Sequence, residues 1–294
     1  MSHSPAPDAL NWGAEGLWEA LEPLLPGLSV EVVATMGSTN TELLARARQS
    51  PADALKPALL VAEQQTAGRG RQGKAWQSAA GASLTFSLAL PLALADWSGL
   101  SLAVGLALAE ALDPVHAGPD VGTPRLGLKW PNDLILLDAH GQAPHIGRKL
   151  GGILIETVQA GSQRIAVIGM GLNIRPLAPG AAPDTTAPQL NWGFACVQEL
   201  QPGLDAPATL ARIAVPLVQA LQAFERQGFA PLQPAFARRD VLAGRLVTTS
   251  LPGLPQGRAD GVDGTGTLWL QTADGRRPVA SGEVSLKPAG ATPC

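Results

Sequence analysis

Residues 83–112, SLTFSLALPLALADWSGLSLAVGLALAEAL, limit the folds open to this chain more than any other segment. Pro91, Asp96 and Gly99 interrupt the run, so the roughly 18 uninterrupted apolar residues of a membrane span are not reached. Its first part, 83–90, reads as a strand. From Ser98 to Leu112 apolar residues recur on nearly every helical face, which predicts a helix enclosed by protein on all sides. Such a helix needs a large layered domain around it. A chain of 294 residues with 46% apolar content supplies one, with enough left over for a smaller second unit.

The flanking segments fit that frame. SVEVVAT (29–35) and ALLVAE (58–63) read as strands, and GSTNTELLARAR (37–48) as a helix with Thr39 and Glu42 in capping-box spacing. LGLKW (126–130) and LILL (134–137) are short strands around Pro131, which stiffens the turn between them. GILIETVQ (152–159) and RIAVIGMGL (164–172) form a hairpin across AGSQ, and residues 175–190, rich in Pro and Ala, form a loop. Residues 208–228 form an amphipathic helix with a kink expected at Pro216 and an end at Gly228. Beyond Arg239 the texture changes to GRLVTTS, QGRADGV, GTLWLQT and RPVASGEVSL, short strands separated by Pro-Gly and Asp-Gly turns. The division is therefore an N-terminal extension (1–28), a main domain (29–238) and a small β domain (239–294).

Whole-chain features exclude several classes. A net charge of −3 gives no general attraction to polyanions, and no binding to DNA is expected. The two cysteines, Cys196 and Cys294, are too far apart and too few for a disulfide framework, which points to a reducing, cytoplasmic setting. His3, His116, His140 and His145 lack zinc-ligand spacing, so no protein-only metal site is expected. The start, MSHSPAPDALNWG, lacks the charged and apolar regions of a signal peptide, and no membrane association is expected.

One loop carries chemistry. In QQTAGRGRQGKAW (64–76), Gly68, Gly70 and Gly73 have the spacing of a dinucleotide-binding turn. That turn must open a helix whose N-terminus holds a pyrophosphate. Here KAWQSAAGAS follows, with no helical stripe, and the chain runs straight into a strand. Arg69, Arg71 and Lys74 between the glycines instead suit an anionic ligand over which the loop orders, since guanidinium forks match carboxylate and phosphate oxygens.

GRGRQGKAW (68–76), KWPNDLIL (129–136), KLGGILIE (149–156) and GMGLNI (169–174) occur in that order, with STN (38–40) and Gln65 ahead of them and SGEVSLK (281–287) at the end. This ordered set resembles the biotin–protein ligases over residues 30–290. The resemblance implies an α+β fold: a mixed-sheet catalytic domain akin to the class II aminoacyl-tRNA synthetase core, with a small C-terminal SH3-like β-barrel. It also implies ATP-dependent formation of biotinyl-5′-adenylate, then transfer of biotin to a lysine of a biotin carboxyl carrier protein, with Mg²⁺ accompanying ATP.

Roles follow position by position. Ser38, Thr39, Asn40 and Gln65 match biotin-binding residues, and Arg69, Gly70 and Arg71 the loop that covers the acyl-adenylate, with Arg71 on the phosphate. Trp76 either packs when that loop orders or belongs to the core. Lys129, Asn132 and Asp133 match the ATP and metal region, and Asn173 a residue near the adenylate. Lys149 matches the lysine bridging the biotin carboxylate and the α-phosphate, with Arg148 beside it solvated. Glu283 and Lys287 match the tail motif, where Lys287 replaces a common arginine. Lipoate or octanoate ligases share the core but lack this loop, the KWPND turn and the β-rich tail. A DNA-binding biotin repressor needs a helix-turn-helix that residues 1–28 do not spell. Some members dimerise through the sheet edge, and the sequence leaves monomer and dimer open.

Overall fold

The computed structural model describes residues 10–49, 55–94, 96–115, 122–142, 145–161, 163–176, 193–280 and 284–286. The expected strands appear as β1 (Ser29–Met36), β2 (Ala58–Gln65), β3 (Ser83–Pro91), β4 (Leu126–Lys129), β5 (Asp133–Gln142), β6 (His145–Ala160) and β7 (Gln163–Asn173). They form one seven-stranded sheet in the order β1-β2-β3-β7-β6-β5-β4. Only β1 and β2 pair in parallel, so the sheet is mixed and the fold is α+β, as expected.

Helix α2 (Thr39–Gln49) lies on one face, while α3 (Leu100–Leu112) and α5 (Ala206–Gln227) pack together on the other. The strand–helix segment noted first is buried as its sequence requires: β3 is covered on both faces, and Val104, Leu108 and Leu112 of α3 are inaccessible. Helix α5 continues through Pro216 and ends at Gly228, whose φ of 67° suits a residue without a side chain. Among the described residues no helix is long and apolar enough to cross a membrane.

The structure departs from the sequence reading in several details. Helix α1 (Ala14–Leu21) forms in the N-terminal extension and docks on α5 and β1 through Leu17 and Leu21. A two-turn helix gives too little periodic signal to stand out among prolines. Helix α2 is capped by Ser38, whose Oγ accepts from Thr41 N at 3.4 Å; the Thr39 hydroxyl faces inward and Glu42 pairs with Arg46. The run RPVASGEVSL is two strands rather than one. In the second sheet, β8 (Leu246–Thr249), β9 (Gln256–Val262), β10 (Leu268–Thr272), β11 (Gly275–Val279) and β12 (Val284–Leu286) follow the order β11-β10-β9-β8-β12, which puts the two halves of that run on opposite edges. Short helices α4 (Val197–Leu200) and α6 (Gln233–Ala237) complete the set. The loop expected at 175–190 falls almost wholly outside the described residues.

The second sheet is fastened to the first near the KWPN turn. Arg239, 4% exposed, donates to Asp113 Oδ2 at 3.0 Å and to Leu126 O at 2.8 Å. Residues 239–241 then run beside β4: Leu128 N donates to Arg239 O, and Val241 N donates to Leu128 O. Trp130 Nε1 donates to Gly266 O at 3.0 Å, and Gly266 (φ 81°) lies directly against the backbone of Gly99.

Asp240 sits in this junction. Burial pushes its carboxyl up to about 6 from an ordinary 3.8, against the pull of the Leu242 and Ala243 amides. Between those values the folded protein holds a proton that the unfolded chain has released, so stability falls as pH rises through this window and stays reduced above it. Asp240→Asn should therefore flatten urea-derived stability between about pH 4 and 6 and raise it at pH 7 by at most about 3 kcal/mol. An unchanged pH profile would refute this.

Candidate active site

The α2 face of the sheet has two halves, and the strand registers define them. Toward the C-terminal end of α2, the residues Leu60, Ala89, Val158, Ile165 and Val167 form a small apolar core with Leu43, Leu44 and Ala47. Toward its N-terminus the same rows continue as Thr85, Ser87, Gly152, Gly169 and Gly171, with Thr85 opposite Gly171 and Ser87 opposite Gly169. Leu154 and Ala62 aside, hydroxyls and missing side chains replace the apolar layer, and that half is the site.

Two glycines there admit contact with the backbone. A Cβ on Gly169 would meet Asn40 Oδ1 at about 2.2 Å, and one on Gly171 would meet the Trp76 ring at about 2.3 Å. Asn40 and Trp76 thus pack directly against the β7 backbone. Around Asn40 a buried network forms. Thr39 N donates to Gln65 Oε1 at 2.7 Å, the Thr39 and Ser87 hydroxyls are 2.7 Å apart, and Ser87 Oγ donates to Asn40 Oδ1 at 2.6 Å. Asn40 Nδ2 donates to Glu156 Oε2 at 3.0 Å and to Leu154 O at 3.3 Å. Ser38, Thr39 and Asn40 are each at most 7% exposed.

The glycine loop is a tight hairpin and not a helix start, in keeping with the rejection of the dinucleotide motif. Trp76 N donates to Gly68 O at 2.9 Å, Gly70 N donates to Lys74 O at 2.7 Å, and Arg71–Gly73 form a single tight turn. Arg71 Nη1 reaches Asn132 Oδ1 at 3.5 Å, whereas Arg69 is exposed and joins Ala75 through the backbone. The loop's tryptophan therefore anchors it to the sheet, and Arg71 turns toward the KWPN motif.

The third cluster is ionic. Lys149 Nζ donates to Asp133 Oδ1 at 2.7 Å, and Lys129 Nζ is 3.8 Å from Asp133 Oδ2. Burial raises the Asp133 carboxyl, but Lys149 and Lys129, helped by Lys74, outweigh it and hold the group below the usual carboxylate range. The Lys149 ammonium also lies 5.9 Å from the Trp76 ring centre, which links this cluster to the loop. Asn132 donates from Nδ2 to Ile153 O at 2.8 Å, fixing the turn that carries Asp133.

Asn173 Nδ2 donates to Lys149 O at 3.2 Å and Ala195 O at 3.0 Å, tying β6 to the segment 193–196. That segment carries Phe194, which is 40% exposed beside Lys149 and which the sequence reading passed over. Arg148 is not simply solvated: it pairs with Glu199 at 2.7 Å and Asp138 at 3.5 Å, because the 193–199 segment folds back over β6. Glu283 and Lys287 lie outside the described residues. Among the described residues no group of three His, Cys, Asp or Glu side chains could hold a metal ion. A cavity of about 330 Å³ opens on the other side of the KWPN turn, between the two sheets, with Arg71, Trp97, Trp130 and Thr267 in its wall.

Comparison with known proteins gives a consistent picture. Residues 32–173 match the biotin/lipoate A/B protein ligase family, and residues 254–287 match the biotin protein ligase C-terminal domain. The chain is 35% identical over 263 residues to a biotin–[acetyl-CoA-carboxylase] ligase of Mycobacterium tuberculosis, covering 87% of this chain and 88% of that protein. It is 34% identical over 270 residues to the bifunctional ligase/repressor BirA of Escherichia coli, covering 90% and 76%. A biotin protein ligase from Aquifex aeolicus in complex with biotin and ATP has the same fold, with a TM-score of 0.67 at 24% identity over 89% of this chain and 99% of that one.

Gly171→Ala tests the packing on which this arrangement rests. The added methyl must displace Trp76, and overpacking of this kind costs about 1–3 kcal/mol. Urea unfolding should show that loss, and Trp76→Ala should largely remove the penalty. Wild-type stability of Gly171→Ala alone would show that Trp76 does not sit on β7.

Proposed function

The chain belongs to the biotin–protein ligases, and from that we propose how its own residues carry the reaction. The enzyme activates biotin with ATP and transfers it to protein. In the first step a carboxylate oxygen of biotin attacks the α-phosphorus of ATP, and pyrophosphate leaves. In the second, the ε-amine of a carrier lysine attacks the carbonyl carbon of the anhydride. AMP leaves, the amine loses a proton, and an amide forms.

The observation that carries this reading is the Lys149 ammonium, held by Asp133 at 2.7 Å in front of the Trp76 ring. Two anions must approach each other in the first step, and a fixed cation between them acts most strongly where charge develops. Thr39 and Gln65 take the polar head of biotin, with Ser38 and Asn40 shaping that end. Gly70 lets the loop approach closely while Arg69 and Arg71 close it over the adenylate. Lys129, Asn132 and Asn173 order the nucleotide side, and Phe194 offers its exposed face to the adenine ring. Asp133 would be the carboxylate of this cluster available to Mg²⁺ carried on the ATP phosphates, and the ion would supply neutralisation of phosphate charge. Glu283 and Lys287 of the SGEVSLK motif serve the triphosphate; the C-terminal sheet we read as an SH3-like barrel spanning 239–294 beside a catalytic domain at 29–238 of class II synthetase type. The carrier is a biotin carboxyl carrier protein, and DNA is not a proposed partner.

Incubation with ATP, Mg²⁺, biotin and a biotin carboxyl carrier domain should raise the carrier's mass by one biotinyl group, and lipoate in place of biotin should not label it. A lipoyl adduct with no biotinyl adduct would reverse the substrate assignment.

Lys149→Ala should fold normally yet lose about 10²–10³ in pyrophosphate release, with Lys149→Arg restoring only part. Transfer from supplied biotinyl-adenylate should suffer less. A folded Lys149→Ala protein with near wild-type pyrophosphate release would remove this lysine from the mechanism.

A further inference from the structure

The network beneath Thr39 has a definite hydrogen-bond direction, and the direction can be deduced group by group. Asn40 Nδ2 faces two acceptors, Glu156 Oε2 and Leu154 O. Turning that amide over would place its oxygen against two other oxygens, so Oδ1 must face Ser87. Oδ1 carries no hydrogen, so the single hydrogen of the Ser87 hydroxyl is committed to it, at 2.6 Å. Ser87 Oγ then meets Thr39 Oγ1, 2.7 Å away, with lone pairs only. The Thr39 hydrogen goes to Ser87, the shorter of its two contacts; the other, to Gln65 Oε1, is 3.2 Å. Gln65 is fixed from the other side: the Thr39 backbone amide donates to Oε1 at 2.7 Å, which turns the Gln65 NH₂ toward Gly68.

We infer that Ser87 and Glu156 are positioning residues that set the polarity of the biotin pocket: the chain Thr39→Ser87→Asn40→Glu156 makes the Thr39 hydroxyl an obligate acceptor while Gln65 presents a donor. This rests on the ligand being biotin, and it deepens that reading. A cyclic urea carries N–H donors beside a carbonyl acceptor, the complement of such a pair. The negative carboxylate at the end of the chain polarises each link in the same sense, strengthening Thr39 as an acceptor. Thr39 rejects a ring atom offering a lone pair in place of the N–H, because its own hydrogen cannot turn to meet it.

The test uses the full-length protein and titration calorimetry without ATP, with biotin and the two carbamate analogues in which one or the other ureido N–H is replaced by oxygen. Wild type should bind one carbamate at least about tenfold more weakly than biotin. In Ser87→Ala the Thr39 hydrogen loses its Ser87 acceptor, is left with only the longer contact to Gln65 Oε1, and can turn to a lone pair on the ligand. The ratio should shrink to about threefold or less, with biotin weakened and that carbamate unchanged or improved. Glu156→Leu, at a half-buried position, should move the ratio the same way, and Glu156→Gln, whose carbonyl still accepts from Asn40, should restore it. It also serves where Ser87→Ala does not fold. A ratio unchanged in both Ser87→Ala and Glu156→Leu, or biotin and both carbamates weakened by one common factor, overturns the inference while leaving the enzyme's function intact. Wild type that binds neither biotin nor the carbamates would overturn the functional reading and the inference with it.

Discussion

At Gly169 and Gly171 the central sheet has no side-chain layer, and the site depends on those two gaps. Elsewhere on the same face, apolar side chains hold α2 about one side chain away from the strands. At these two positions Asn40 and Trp76 touch the backbone itself. One contact draws the start of α2 down so that Thr39, Ser87 and Gln65 meet; the other fastens the glycine loop across the sheet. A methyl group at either position would separate parts that have to act together. The GMGLNI motif therefore specifies an absence of volume, with the intervening Met170 turned into the opposite core.

The charged cluster follows a different logic. Asp133 is ringed by two lysines and approached by a third, so the carboxylate stays ionised although it is largely withdrawn from water. Such a pair is a poor device for stability, because desolvation offsets most of the attraction. It is a good device for holding an ammonium in a fixed place beside an aromatic wall. Asn132 and Asn173 support it from both flanks by binding main-chain carbonyls of neighbouring segments.

Much of this was legible in the sequence. The two-sided burial of 83–112, the hairpin of β6 and β7, and the motif order all depend on local pattern and survive folding unchanged. What escaped notice depends on distant partners. Arg148 looked solvated because Glu199 lies far along the chain. Phe194 gained its position only when its segment paired with Lys149. Ser87 and Glu156 sit in strands whose texture is apolar. The signal was there in SLTFSLAL, where hydroxyls at Thr85 and Ser87 occupy every second place, but only strand register reveals which face they share and what lies above them. Helix α1 is two turns long and owes its existence to packing on α5.

The junction between the sheets bears on how such a protein can change over evolutionary time. Residues 239–241 run along β4 as if they were one more strand, and a buried indole of the KWPN turn is satisfied by a carbonyl from the turn joining β9 and β10. Small β domains are commonly exchanged among proteins as interchangeable parts. This one is grafted into the wall of its neighbour. A chain that lost it would be left with an unsatisfied indole and an unpaired stretch of β4 beside the turn that carries Asp133, so removing the second sheet would disturb the first.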